Sequence, residues 1–183
     1  MSNLTDFFPL AEAGGGLTPK YREFNSSSSF TPSQALIDAG GYIEVLVVGA
    51  GGRGASSSFG GNGGEAIIKR MNLTSRGGCT VSIGGGVSSS GTGGSSAFYG
   101  ASAGGFNVSA KGGTGGYTTG QQDTKSSPSW GSSSNSGASG PGVFGFGAGG
   151  GYTSGIRSAK PNTGQGCVEG TSGSGYCLIK WYE

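Results

Sequence analysis

The stretch Tyr42-Ile-Glu-Val-Leu-Val-Val48 continues without a break into Gly49-Ala-Gly-Gly-Arg-Gly54. The first seven residues are mostly β-branched or aromatic, a composition that suits a pleated surface and predicts a strand. The glycines that follow supply no side chain to bury, and glycine loses more backbone entropy on folding than any other residue. The chain after Val48 is therefore either disordered or part of a core in which backbone packs against backbone.

Glycine dominates the rest of the chain as well. Of 183 residues, 44 are Gly, and most of them fall in the tracts 49–64, 84–95, 111–120 and 142–151. The tracts do not place Gly at every third position, which excludes collagen. Disorder is the alternative, because Gly and Ser together reach the level of low-complexity chains. Strands at both ends and recurring aromatic residues argue against disorder, since flexible linkers usually lack aromatics.

Glycine can instead form a left-handed threefold helix, with about three residues per turn and a rise of about 3.1 Å. Its amides and carbonyls point outward in three directions, so neighbouring helices can pack closely and exchange hydrogen bonds worth about 0.5–1.5 kcal/mol each. We expect an all-β fold without significant α-helix, in which polyglycine II-type helices stack on one β-sheet. The strands of that sheet are predicted at 42–48, 65–73, 79–83 and 176–182.

Shorter segments complete the predicted secondary structure. Ala35-Leu-Ile37 is interpreted as a strand segment, and the serine run 26–29 as a flexible joint. In Cys79-Thr-Val-Ser-Ile83 the apolar residues alternate with polar ones, which places Cys79, Val81 and Ile83 on one face. Further strands are predicted at 96–99 and 106–110.

The first 24 residues contain the least glycine and form a separate segment. We predict a docking arm over residues 1–24 and a glycine-rich domain with exposed loops over residues 25–183. A frayed terminus is the alternative for the arm. No basic region or long apolar region marks a signal peptide at the start of the chain. The apolar residues predicted to dock on another protein are Leu4, Phe7, Phe8 and Leu10.

The sequence Gly49-Ala-Gly-Gly-Arg-Gly54 also matches the dinucleotide-binding pattern GxGxxG. That motif requires a helix to begin within it, so that the helix N-terminus meets the pyrophosphate. The residues that follow, Ala55-Ser-Ser-Ser-Phe-Gly-Gly-Asn-Gly-Gly64, cannot be written as a helix. A chance match is expected in a chain that is a quarter glycine, so we reject a Rossmann fold.

The remaining composition argues against catalysis, metals, nucleic acid and membranes. The chain has no His, and its acidic residues are not clustered, so the usual bases and paired carboxylates are missing. The net charge is +2 and the basic residues are scattered, unlike those of a nucleic-acid-binding protein. No apolar run is long enough to cross a membrane. We expect no enzyme activity, no cofactor and no metal site, and we expect Cys79, Cys167 and Cys177 to be free thiols, with a Cys167–Cys177 pair as the alternative.

Segments between the glycine tracts have the composition of binding loops; the short ones are Arg53–Phe59 and Val87–Thr92, and two longer ones stand out. Residues 117–139 and 152–165 combine Tyr, Ser, Gly and Asn with single Trp and Arg residues, which supply rigid anchors and adaptable polar groups. Trp130 could stack on a sugar or fill a receptor pocket, or it could fold back on the scaffold. The predicted receptor-binding residues are Tyr117, Gln121, Trp130, Asn135, Tyr152, Arg157 and Lys160.

Several segments in order resemble the glycine-rich domain of phage tail-fibre and tail-tip proteins. Its opening is similar to Phe30-Thr-Pro followed by Ala39-Gly-Gly-Tyr-Ile-Glu-Val-Leu-Val-Val-Gly-Ala-Gly-Gly52. Its middle is similar to Cys79-Thr-Val-Ser-Ile-Gly-Gly-Gly86, Gly93-Gly-Ser-Ser-Ala-Phe98 and Val108-Ser-Ala-Lys-Gly-Gly-Thr-Gly-Gly116. Its closing strand is similar to Gly173-Ser-Gly-Tyr-Cys-Leu-Ile-Lys-Trp181. The resemblance covers about residues 30–183.

The resemblance implies a virion protein that is assembled in the host cytoplasm and resides in the tail. Loops on polyglycine helices contact the receptor in the tip adhesins of T-even-type long tail fibres. The implied receptor is lipopolysaccharide or an outer-membrane protein, and Arg and Lys in the loops would suit phosphates or acidic sugars. The arm would dock on other tail or baseplate proteins, and a homotrimer is expected because fibres are usually threefold. The alternative is a purely structural fibre subunit or decoration protein without receptor contact.

Overall fold

Two four-stranded antiparallel sheets form most of the regular structure. The computed structural model describes residues 16–54, 61–100, 105–115, 159, 161–167 and 170–183. In chain order the elements are β1 (Pro19–Phe24), β2 (Ser28–Phe30), α1 (Gln34–Asp38), β3 (Tyr42–Val48), β4 (Ala66–Asn72), β5 (Cys79–Ser82), β6 (Ser96–Gly100), β7 (Phe106–Ala110) and β8 (Tyr176–Tyr182). The first sheet has the strand order β1-β8-β3-β4 and the second has the order β2-β5-β6-β7. The all-β prediction is confirmed for the described residues.

The main hydrophobic core lies between the two sheets. In β3 the alternate residues Ile43, Val45 and Val47 belong to this core, as expected from the two-residue repeat of a strand. From the second sheet, Phe98 is fully buried and its ring centroid lies 6.3 Å from that of Phe30 in an edge-to-face contact. Both sheets therefore contribute side chains to one core, and each sheet packs against the other through it.

The predicted strand segment at Ala35–Ile37 is wrong, because these residues lie in the short helix α1. Ser33 caps the helix by accepting a hydrogen bond from the Leu36 amide at 3.0 Å, which satisfies a donor at the helix start. Leu36 is fully buried in the core. The capping side chain and this one buried anchor hold a turn that is too short to show a helical repeat in the sequence.

Two other local predictions are also corrected. Ser28 and Ser29, predicted in a flexible joint, belong to β2 and pair with Val81 and Thr80 of β5. The segment 79–83 was predicted in the same sheet as β3, but β5 lies in the second sheet. The predicted alternation within it is confirmed for Cys79 and Val81, which are both buried. Inward alternation identifies a buried face, but it does not say which of two sheets supplies it.

The predicted arm overlaps the first sheet. Its last six residues are β1, an edge strand that pairs with β8 from Pro19–Tyr182 to Phe24–Cys177. Phe24 is buried in the main core, so the sheet begins before the predicted boundary at residue 24. Residues 1–15 lie outside the described part of the chain.

Glycine-rich segments continue from the ends of the strands and form what we call the glycine bundle: residues 49–54, 61–65, 84–87, 91–94, 111–115, 164–167 and 171–175. Segment 49–54 leaves β3, and its successive amides donate to different neighbours. Gly49 and Gly52 donate to the Glu65 and Asn62 carbonyls at 2.9 Å. The next residue in each case donates to segment 91–94: Ala50 to Gly94 at 2.9 Å and Arg53 to Gly91 at 3.0 Å. Residues three apart therefore bond to the same neighbouring segment.

The same three-residue spacing recurs in a second segment of the glycine bundle. Gly61 and Gly64 donate to residues 167 and 164, while Asn62 and Glu65 donate to residues 114 and 111. All four of these bonds measure 2.8–2.9 Å. Because the backbone groups bond between segments rather than within one, the bundle holds together through main-chain groups.

Candidate functional site

Several segments of the glycine bundle come close together at one end of it. Gly54 and Gly61, which flank residues 55–60, both donate to the Cys167 carbonyl, at 3.0 and 2.9 Å. Arg53 and Gly91 exchange two backbone hydrogen bonds of 3.0 and 3.1 Å. A Cβ at Gly115 would lie 2.7 Å from the Arg53 carbonyl oxygen. We call this the loop end, formed by Arg53, Gly54, Gly61, Gly91, Gly115 and Cys167.

The start of the described chain lies at the other end of the molecule. β8 runs from Tyr176, next to the glycine bundle, to Tyr182, and Pro19 pairs with Tyr182. Thr18 and Glu183 exchange backbone hydrogen bonds of 2.8 and 3.1 Å just beyond this pair. The connection to residues 1–15 and the loop end are therefore separated by the length of the first sheet and of the bundle.

Arg53 is the charged side chain at the loop end among the described residues. Its backbone is held by the exchange with Gly91 and by a parallel bridge to Cys167. Its side chain is partly exposed, but Nε is buried and has no hydrogen-bond partner within the described part of the chain. Arg53 is not among the receptor-binding residues predicted from the sequence, although it begins the short candidate segment Arg53–Phe59. The signal that could have identified Arg53 was its position as a single charged residue inside the glycine tract 49–64, where the neighbouring residues carry almost no side chains.

Buried hydroxyl and amide groups join the segments behind the loop end. The Ser172 hydroxyl donates to the Gly51 carbonyl at 2.6 Å and accepts from the Val87 amide at 2.7 Å. The Asn62 side-chain amide donates to the Thr114 hydroxyl at 2.6 Å. These groups satisfy backbone atoms or each other, so they stabilise the bundle rather than offer a binding site.

The three cysteines are free thiols and all are buried, as expected from the sequence. Burial raises the pKa of the Cys177 thiol to about 12. Burial also raises the pKa of Cys167, and the positive charge of Arg53 offsets only part of that effect. Both groups are therefore neutral at pH 7 and are poor nucleophiles.

Charged residues on the outer face of the first sheet pair with each other across the strands. Arg70 Nε donates to Glu44 Oε2 at 2.6 Å, and Lys180 lies opposite Glu44 on β8. Partial burial lowers the pKa of Lys180, and the nearby Glu44 carboxylate opposes that shift. Burial raises the pKa of Tyr176, and a hydrogen bond with Glu23 adds to the increase. These charges are engaged in cross-strand contacts and do not converge on a cleft.

All of the receptor-binding and docking residues predicted from the sequence lie outside the described part of the chain. They are Tyr117, Gln121, Trp130, Asn135, Tyr152, Arg157, Lys160, Leu4, Phe7, Phe8 and Leu10. The structure therefore does not bring these side chains together or separate them. It does describe Gly115, two residues before Tyr117, and Gly115 belongs to the loop end. The contact residues, including Trp130, stay predictions.

Metal-binding and membrane-spanning features can be assessed for the residues that the structure describes. No group of three or more Cys, Asp or Glu residues there could hold a metal ion. Within the same residues, no helix has the length and apolar character needed to cross a bilayer. Neither a protein-family model nor a curated protein matches the chain.

Proposed function

We propose that the segments of the glycine bundle are polyglycine II-type helices. The support is the three-residue spacing of hydrogen-bond partners along 49–54 and 61–65, because a threefold helix returns to the same neighbour at every third residue. Close approach also supports it: a Cβ at Gly49 would overlap the Lys111 carbonyl, and one at Gly51 would overlap that of Gln165. Only glycine leaves room for such contacts between backbones.

We propose that the chain, with this bundle as its scaffold, is a phage tail-fibre or tail-tip protein that binds the bacterial surface. The observation that carries the proposal is the convergence of Arg53, Gly54, Gly61, Gly91, Gly115 and Cys167 on one end of a bundle held by backbone bonds. Residues 55–60 and 116–158 follow directly after Gly54 and Gly115, so both segments leave the bundle from that end. A rigid support with several loops at one end is an arrangement that suits recognition, because binding residues are commonly placed on loops held by a fixed scaffold.

The opposite positions of the loop end and of the connection to residues 1–15 support the proposed partners. Residues 1–15 connect at the end of the first sheet that is remote from the loop end. In the proposed particle this arm docks on another tail or baseplate protein, the loop end faces lipopolysaccharide or an outer-membrane protein, and the chain assembles as a homotrimer. The protein would have no enzyme activity and would not bind nucleic acid or insert into a membrane. The second candidate function is a purely structural fibre subunit or decoration protein.

The test is binding of the fluorescently labelled full chain to a panel of bacterial strains. We expect labelling of some strains and at least a tenfold loss of labelling for Trp130→Ala, since a buried aromatic anchor commonly accounts for more than 1.4 kcal/mol, about a factor of ten. Tyr42→Ala is the matched control, because Tyr42 is an exposed aromatic residue at the opposite end of β3.

The outcomes separate the two candidate functions. Equal labelling by wild type and Trp130→Ala would remove Trp130 from the proposed site. Absence of labelling on every strain, together with density for the protein only between subunits of the assembled particle, would favour the structural role over receptor binding.

A further inference from the structure

The side chain of Arg53 begins from a fixed point at the loop end. Its amide donates to the Gly91 carbonyl at 3.0 Å, and its carbonyl accepts from the Gly91 amide at 3.1 Å. The following residue, Gly54, donates to the Cys167 carbonyl at 3.0 Å. Backbone bonds to two different segments therefore set the position of this side chain, which is the condition for a preorganised contact.

No acidic side chain among the described residues neutralises Arg53. Two other described arginines are engaged elsewhere: Arg70 pairs with Glu44, and Arg22 lies over the Phe24 ring at 5.0 Å. The described acidic residues lie on the strands, on α1, beside β8 or at the base of the bundle: Glu23, Asp38, Glu44, Glu65 and Glu183. The Cys167 thiol does not supply a negative charge either, because burial keeps it protonated.

The guanidinium also has unused hydrogen-bonding capacity. Nε is buried without an acceptor within the described part of the chain, although buried polar groups are normally hydrogen-bonded. The residue as a whole remains partly exposed, so an incoming group can approach its exposed part but not Nε itself. A planar guanidinium offers parallel N–H donors that match two oxygens of a carboxylate or a phosphate.

We propose that Arg53 is an oxyanion-binding residue at the loop end, which takes a phosphate or carboxylate group of a bacterial surface saccharide. The identity of the saccharide partner rests on the proposed function; the affinity for oxyanions does not. The oxyanion supplies the counter-charge for the guanidinium and accepts from its exposed N–H groups. Arg53 then positions the ligand from the scaffold, independently of the loop residues.

The test is a nuclear magnetic resonance titration of the ¹⁵N-labelled full chain with inorganic phosphate and, separately, with glucuronate, at constant ionic strength set by chloride. We expect the Arg53 Nε–H resonance to shift and saturate. Arg53→Gln should bind at least tenfold more weakly, because it removes the charge and the paired donors. Arg53→Lys should be intermediate, since it keeps the charge but not the fork.

Arg76→Gln is the matched control, because Arg76 is exposed and follows β4 at the end of the sheet away from the bundle. It should bind both anions as the wild type does. A response to phosphate alone or to glucuronate alone would identify which oxyanion the residue prefers. The absence of a saturable Arg53 shift, or equal affinity in wild type and Arg53→Gln, would overturn the proposal.

Cell labelling separates this inference from the proposed function. If Arg53 binds the anions but no strain is labelled, the anion site stands and receptor binding fails. If strains are labelled and no anion shifts Arg53, receptor binding stands and the anion site fails. Should Arg53→Gln fold poorly, the Nε–H shift of the wild type and the affinity of Arg53→Lys still decide the question.

Discussion

At the scale of single residues, glycine in the bundle is required for space more than for backbone conformation. Gly49, Gly51 and Gly52 do not have positive φ angles, so other residues could adopt their backbone conformation. A Cβ at any of them would nevertheless overlap a carbonyl of a neighbouring segment. Gly41 is different, because its φ of 71° combines with overlap of the Leu73 carbonyl, so both conformation and space require glycine there.

Substitution of glycines in the bundle should therefore depend on the space around each one. Gly52→Ala should lower the free energy of unfolding by about 2 kcal/mol or more, because its Cβ meets backbone that cannot rotate away. Gly85→Ala is the control: nothing lies within 4 Å of its Cβ, and its stability should stay within about 0.5 kcal/mol of the wild type. Urea unfolding measures both values. Equal stability of the two variants would contradict backbone-to-backbone packing.

At the scale of elements, α1 depends on one serine that serves two neighbours. The Ser33 hydroxyl accepts from the Leu36 amide at 3.0 Å and donates to Glu183 Oε2. The hydrogen bond from Ser33 is the main reason that the pKa of Glu183 lies below its ordinary value of 4.5. The helix is thereby attached to the C-terminal end of β8.

Ser33→Ala should destabilise the protein by about 1 kcal/mol at pH 7, the usual cost of losing an N-cap. A depressed carboxyl pKa adds stability above its unfolded value, and that stability is lost as pH falls through the folded value. The wild type should thus lose this contribution on acidification below about pH 4.5, whereas Ser33→Ala has less of it to lose. Thermal unfolding from pH 7 to pH 3 measures the difference.

Ser33→Thr provides the comparison for this prediction, because threonine keeps the hydroxyl and caps helices. Its pH dependence should follow that of the wild type. A constant difference between wild type and Ser33→Ala at every pH would show that the contact with Glu183 does not contribute to stability, and only the cap would remain.

At the scale of the whole molecule, the sheets and the bundle form one continuous construction. Backbone segments leave β3, β5 and β7 and enter the bundle, and other segments return from it to β4, β6 and β8. β1 forms one edge of the first sheet by pairing with β8 from Cys177 to Tyr182, and β3 pairs with the other side of β8. The molecule consequently has a loop end and an end where residues 1–15 connect.

Two truncations should distinguish the arm from the sheet. Removal of residues 1–15 should leave the unfolding free energy of the sheets close to that of the full chain. Removal of residues 1–24 also deletes β1 and the buried Phe24, which should cost about 3 kcal/mol or more and expose the edge of β8. Chemical unfolding and light scattering measure stability and aggregation. If both truncations unfold alike, β1 does not belong to the folding unit.

Local composition determined much of the secondary structure. The residues from Tyr42 to Val48 are almost all β-branched or aromatic, and the predicted strand is confirmed with the same bounds. The predicted strands at 176–182 and 106–110 are also confirmed. Among the described residues, the absence of long helices also followed from the glycine and serine content. These properties arise from the preferences of neighbouring residues and can be read without knowing what packs where.

Tertiary structure alone decided which sheet holds β5, whether Ala35–Ile37 is a helix, and whether the serine run is ordered. Each depends on a partner distant in sequence: β6 for β5, the core around Leu36 for α1, and Val81 for Ser28. The loop end was likewise not predictable from the sequence, since Arg53, Gly91 and Cys167 meet through backbone contacts and Gly115 lies against the Arg53 backbone. A glycine tract has no side-chain pattern from which its packing partners could be predicted, so only the folded structure shows which segments are neighbours.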